Sequence, residues 1–238
     1  MKQLSKRIWI SFLILLILIP ATLFLCFQTG NRHYYLASLL IILYTLIPFF
    51  LVFEHRRPQA RELVVLAVLC ALAIASRAAF VWLPNFKPIC GIIMIAGIAF
   101  GPESGFLVGA VSAFGSNFIF GQGAWTPWQM FAFGLAGFLA GLFYRLHIIN
   151  KNRVVLAIFG FLAIVLIVGP ALDTCALFLM ANELNASSAG AVYLSGLPVN
   201  LVHASAAALT MFFFSRPMFE KLDRIRLKYG MLEDRYEI

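Results

Sequence analysis

Two residues with full charges stand inside long apolar runs of this chain: Arg77 in "VVLAVLCALAIASRAAFVWL" and Asp173 in "VVLAIFGFLAIVLIVGPALDTCALFLM". A bare charge in hydrocarbon costs roughly 3 kcal/mol or more, so each needs a partner, a wet cavity or a ligand. Asp173 is the only acidic residue in the interior of an apolar run. An Arg77–Asp173 ion pair is therefore one reading, and contact of each with a ligand is the other. In a later run Asn200 and His203 are three apart and share one helical face. A membrane histidine of this kind either makes one satisfied hydrogen bond or handles a proton or ligand.

Polar and aromatic chemistry also gathers in three stretches between apolar runs. "WLPNFKP" holds Trp82, Asn85, Phe86 and Lys87; "SNFIFGQGAWTPWQMF" holds Asn117, Gln122, Trp125, Trp128 and Gln129; "NELNASSAGAVYLSGLP" holds Tyr193. Tryptophans beside apolar runs serve as interface anchors in many membrane proteins, which accounts for the rings. It leaves Asn117, Gln122 and Gln129 unexplained, and converging rings and amides line small-molecule sites. With Arg77, Asp173, Asn200 and His203 beneath them, the three stretches read as an outward-facing pocket. No dense cationic cluster demands an anionic ligand.

Several kinds of chemistry have no motif here. The chain has no GxxxxGK[ST] phosphate loop, no HExxH and no GxSxG. The cysteines Cys26, Cys70, Cys90 and Cys175 stand singly, as small apolar residues rather than a metal or disulfide set. An enzyme is not expected, nor a cofactor or metal of the protein's own.

The elements that must hold these residues follow from hydropathy. The chain is 62% hydrophobic and 12% charged, with mean hydropathy +0.93, so an all-α polytopic membrane protein is expected. Apolar runs fall near 8–27, 35–53, 62–83, 88–100, 103–120, 128–145, 154–181 and 190–215. The fourth and fifth are short, and one long helix, a re-entrant hairpin or two short helices around "GPES" are all readings of them. With two crossings there, the N-terminus, the 54–61 linker, the 145–153 linker and the C-terminal tail share one side. They hold 3, 3, 3 and 6 Lys/Arg, 15 of the 18 in the chain. The positive-inside rule thus favours eight spans with both termini cytoplasmic. Basic residues grouped beside apolar runs serve orientation in the bilayer, and no nucleic-acid partner is expected despite the +8 net charge.

The charged break "EHRRPQARE" divides the chain into an N-terminal two-span hairpin with its basic linker (1–61), a six-span core (62–216) and a cytoplasmic tail (217–238). Small residues recur every fourth position at Gly97, Gly101, Gly105, Gly109 and Ala113, and at Gly137 and Gly141, forming flat strips for close helix packing. Pro102 divides the first series between two helices. A second strip, Ala67, Ala71 and Ala75, becomes a docking surface for another membrane protein if it faces lipid.

The core resembles the substrate-binding S components of energy-coupling factor (ECF) transporters. The likeness rests on "ALAIASRAAFVWLPNFKP", "IAGIAFGPESGFLVGAVSAFGSNFIFGQGAWTPWQM" and "GLPVNLVHA", within 62–216. It implies a six-helix subunit in a prokaryotic plasma membrane that captures a vitamin from outside. A transmembrane coupling subunit and two cytosolic ATPases then drive uptake, supplying the missing phosphate loop. Ala67, Ala71 and Ala75 would meet the coupling subunit, and the ligand would sit under loops 84–87, 121–127 and 182–189. The motif set looks most like the cobalamin branch, with another vitamin or a queuosine precursor as alternatives. A stand-alone secondary transporter, coupling protons through Arg77, Asp173 and His203, is the reading from a different class.

Overall fold

In the computed structural model, residues 60–123, 125–180 and 185–229 are described, with isolated positions 18, 21, 22, 40 and 44. The expected N-terminal hairpin, most of its linker, and the last residues of the tail lie outside the described residues. Within them the chain is helical, without a strand. The elements are α1 (Ala60–Ala79), α2 (Ile89–Phe100), α3 (Pro102–Phe120), α4 (Thr126–Arg145), α5 (Arg153–Ala163), a π-helical turn (Ile164–Val168), α6 (Gly169–Met180) and α7 (Ala186–Lys228). Four helical stretches are long and apolar enough to cross a membrane: Ala60–Ala79, Thr126–Arg145, Arg153–Met180 and Ala186–Lys228.

The short central segment resolves into two helices. Gly101 at φ 98° reverses the chain between α2 and α3, a conformation that only glycine adopts freely, and its N–H bonds the Gly97 carbonyl at 2.8 Å. Every residue of α2 is buried. A helix apolar on all sides belongs inside a bundle, and α2 packs against α1, α3, α4 and α7.

The glycine strips explain how tightly α4 sits on this hairpin. A Cβ on Gly97 or on Gly105 would overlap the Gly137 carbonyl oxygen, and one on Gly109 would overlap that of Phe133. One on Gly141 would lie 2.6 Å from the Gly97 oxygen. The backbones of α2, α3 and α4 therefore touch directly, the packing that small-residue strips permit.

In α1 the residues Leu66, Leu69, Cys70, Ala73 and Arg77 are buried, at helical spacing. The opposite face, with Ala67, Ala71 and Ala75 among Val64, Val68 and Leu72, is exposed. The alanine strip thus faces outward from the bundle.

Pro170 lacks the N–H that an α-helix needs one turn back. The π turn just before it changes the register, with the Gly169 N–H bonding the Ile164 carbonyl. Helix α7 has 43 residues, about 65 Å at 1.5 Å per residue, roughly twice the hydrocarbon thickness. It runs past the expected end of the last span, with Phe219 and Leu222 packed into the core. Lys151 donates to Asp223 at 2.9 Å, Arg226 lies over the Phe100 ring and Arg61 bonds the Tyr229 carbonyl.

The bundle thus has two unlike ends. One collects Arg61, Arg145, Lys151, Arg153 and the basic residues of α7 beyond Ser215. The other carries the α1–α2, α3–α4 and α6–α7 loops, and with them the polar stretches.

Candidate functional site

At the loop end, Arg77 reaches from the last turn of α1 toward the end of α3 and is only 4% exposed. Its Nη1 donates to Ser116 Oγ and, at 2.9 Å, to Asn117 Oδ1. The Phe120 ring covers the guanidinium at 4.4 Å, a cation–π contact. Its Nε is enclosed without a partner.

Asn117, 1% exposed, is the hub of a polar lattice. Its Nδ2 donates to Thr126 Oγ1 at 3.0 Å and to Gln129 Oε1 at 2.8 Å. Thr126 donates to Gln122 Oε1 at 2.9 Å and receives the Gly123 N–H at 3.2 Å. Gln122 Nε2 closes the lattice on the Phe114 carbonyl at 3.0 Å. Gly121, at φ 98°, turns the chain into this loop. The amides that point to a pocket in the sequence therefore spend their bonds on one another. Their physical role is to hold Arg77 and the α3–α4 loop in one arrangement. Ser116 and Thr126, which no sequence pattern singles out, belong to the same lattice. Their places beside Asn117 and at the start of α4 are the signal for them.

Asp173 is elsewhere. Asn200 Nδ2 donates to Asp173 Oδ2 at 2.7 Å across the α6–α7 seam. Two glycines make room: a Cβ on Gly196 would overlap the Asp173 carboxylate, and one on Gly169 would lie 2.6 Å from Asn200 Cγ. Tyr193 joins this seam through a 2.8 Å bond between its hydroxyl and that of Thr174. The Arg77–Asp173 ion pair, one of the two readings of the sequence, is not formed. Asp173 meets Asn200, and Arg77 has no counter-charge among the described residues.

His203 is 7% exposed, edge-on to the Phe133 ring at 6.0 Å, and its Nε2 has no partner. It lies within electrostatic reach of both Arg77 and Lys87. Lys87, in the α1–α2 loop, is half-buried; burial first, and the Arg77 charge second, hold its ammonium below the usual lysine range. Arg77 and Lys87 flank one loop while His203 comes from the last helix, so the sequence does not show that the fold brings the imidazole near the two charges.

The aromatic residues divide. Trp82 is 69% exposed with its indole N–H on the Ala79 carbonyl, and Trp125 is also exposed, so both stand at the rim. Phe86 packs on Phe80 at 5.2 Å. Trp128 turns inward to Phe178 and Cys175, away from the position of an interface anchor. Asn85, at φ 60°, shapes the α1–α2 loop, a conformation asparagine tolerates well. Among the described residues no His, Cys, Asp and Glu gather as a metal set.

A model of the family "ECF-type riboflavin transporter, S component" matches residues 58–218. A UPF0397 protein of Aliivibrio fischeri is 31% identical over 101 residues, 40% of this chain and 53% of that protein. A UPF0397 protein of Aliivibrio salmonicida is 28% identical over 106 residues, 42% of this chain and 56% of its own length. The chain thus spans about half the length of the curated relatives it matches. No solved structure matches it.

Proposed function

The chain belongs to the ECF-type riboflavin transporter S-component family, and from that premise we propose that it captures a vitamin at the outer face for ATP-driven import. As a substrate-binding subunit of a transporter it is not an enzyme, and it is a multi-pass membrane protein. The loop end is the outer one in this reading, the basic end is cytosolic, and both termini lie in the cytosol of a prokaryote. The exposed Ala67, Ala71 and Ala75 strip meets a transmembrane coupling subunit, which joins two cytosolic ATPases.

One observation carries the reading. The helices that the family match covers are those that enclose Arg77, His203 and the Asn117 lattice beneath three loops at one end. Enclosed polar side chains gathered beneath three loops at one end suit a binding subunit. The family's description names riboflavin, so flavins are the first ligands to test. Cobalamin, another vitamin or a queuosine precursor follow from the likeness in the sequence, and the exposed rings of Trp82 and Trp125 suit a broad ligand at the rim.

The test is purification in mild detergent with and without co-expressed coupling and ATPase subunits. The expected result is a four-part complex, with saturable vitamin binding by the isolated subunit in the absence of ATP. Ala71→Trp should leave binding intact and abolish co-purification. Uptake by this chain alone, driven by a proton gradient and lost in Asp173→Asn, would establish the secondary-transporter reading instead.

A further inference from the structure

The charges of Arg77 and Lys87 are unanswered among the described residues, and the His203 ring lies within their reach. Among the described residues Arg77 and Lys87 form no ion pair, and Asp173, the one described acid in the loop-end half of the bundle, bonds Asn200 instead. Glu62 and Glu103 belong to the first turns of α1 and α3, at the basic end. Arg77 Nε and His203 Nε2 are both enclosed donors or acceptors without partners, on side chains more than nine-tenths buried. Helix α2 begins beside Lys87 with no side-chain cap, so the positive end of its dipole adds to the same region. Enclosing Arg77 beside a half-buried Lys87 without a counter-charge is costly, and an anion supplied from outside would reduce that cost.

We propose that the small molecule captured at this end carries a carboxylate or phosphate, received by Arg77, Lys87 and His203. This rests on the capture reading above and narrows its ligand class. Arg77 is the geometric anchor. Its Nη1 is fixed by Ser116 and Asn117 and its face by Phe120, which leaves Nε for the ligand in a preset orientation. A pre-oriented guanidinium binds an oxyanion with little loss of side-chain freedom. Lys87 adds a second charge from the loop, and His203 a ring nitrogen from α7.

The experiment uses the full chain in phosphatidylcholine nanodiscs and calorimetric titration with vitamin pairs that differ at the acid alone. The probes are riboflavin 5′-phosphate against riboflavin, pantothenate against pantothenol, and biotin against biotinamide. The expected result is that an acidic member binds and its neutral counterpart binds about ten- to a hundredfold more weakly, the range for a charge-assisted hydrogen bond. Lys87→Gln, on a loop and without a side-chain partner, should weaken the acidic member about tenfold and leave the neutral one unchanged. Arg77→Lys should weaken it further, because the bonds to Ser116 and Asn117 no longer fix the charge. Glu183→Gln should leave it unchanged; a clear gain in affinity for the acidic member would make Glu183 a competing internal counter-charge and overturn the proposal.

Equal affinity for a neutral member and its acid would remove the anion assignment while leaving vitamin capture standing. If phosphatidylglycerol in the nanodisc, and none of the soluble acids, stabilises the protein in an Arg77-dependent way, the anion is a lipid headgroup and the soluble-ligand assignment falls. Absence of binding by every acidic member would overturn the anion assignment, while vitamin capture would stand or fall with the co-purification test above.

Discussion

Replacing Asn117 by Leu removes three hydrogen bonds at a position with almost no access to water. Asn117 accepts from Arg77 at 2.9 Å and donates to Thr126 at 3.0 Å and Gln129 at 2.8 Å. The two neutral bonds contribute about 1 kcal/mol each and the charge-assisted one about 2 kcal/mol. Leucine is close to asparagine in size, so part of the loss is offset by its apolar contacts. A net destabilisation of about 3 kcal/mol follows, read as a shift in the SDS or thermal unfolding midpoint of the purified protein. Total loss alone does not prove the lattice, so the decisive measurement is a double-mutant cycle with Thr126→Val. If Asn117 and Thr126 act through one network, the double variant should be about 1 kcal/mol less destabilised than the sum of the single ones. Thr126→Val also frees Gln122 and Gly123, so loop 121–125 should become more accessible to protease in both variants. Strict additivity, with the loop equally protected, would refute the view that Asn117 fastens the loop to Arg77.

Three further outcomes follow from the packing. Gly105→Ala would press a methyl into the Gly137 carbonyl, where neither backbone can yield, and should cost about 2 kcal/mol in thermal unfolding. Gly190→Ala, on α7 with nothing nearby, should raise stability by about 0.5–1 kcal/mol, so a loss there would undo the distinction between the two glycines. Gly169→Ala should displace the Asn200 amide from Asp173 and cost about 2 kcal/mol, yet add almost nothing in an Asn200→Ala background; additive losses would show that the clash lies elsewhere.

Much of this architecture was legible because the bilayer imposes simple rules. Apolar runs at 88–100 and 103–120 mark α2 and α3 to within a residue or so, since Gly101 and Pro102 are the only local way to turn the chain between them. The four-residue glycine spacing foretells backbone contact because Cβ-free strips have no other use at that regularity. The outward face of the alanine strip was open in the sequence, since small residues suit both a protein neighbour inside and one outside. The length of α7 was also hidden. The apolar run ends near 215, but Phe219 and Leu222 continue the buried stripe beyond it on a helix rich in charge.

The site shows where pattern reasoning stops. A lone intramembrane arginine and a lone aspartate invite pairing, because charge is a scalar and both lie in apolar runs. Pairing is decided by direction, and Gly169 and Gly196 open the α6–α7 seam so that Asp173 meets Asn200 there. Arg77 faces the opposite way, onto Ser116 and Asn117. Once Asp173 is committed elsewhere, Arg77, Lys87 and His203 share a region without a described counter-charge. The same geometry gives Asn117, Gln122 and Gln129 a bracing role. In the proposed reading, recognition at this end rests on the charge that those amides hold in place.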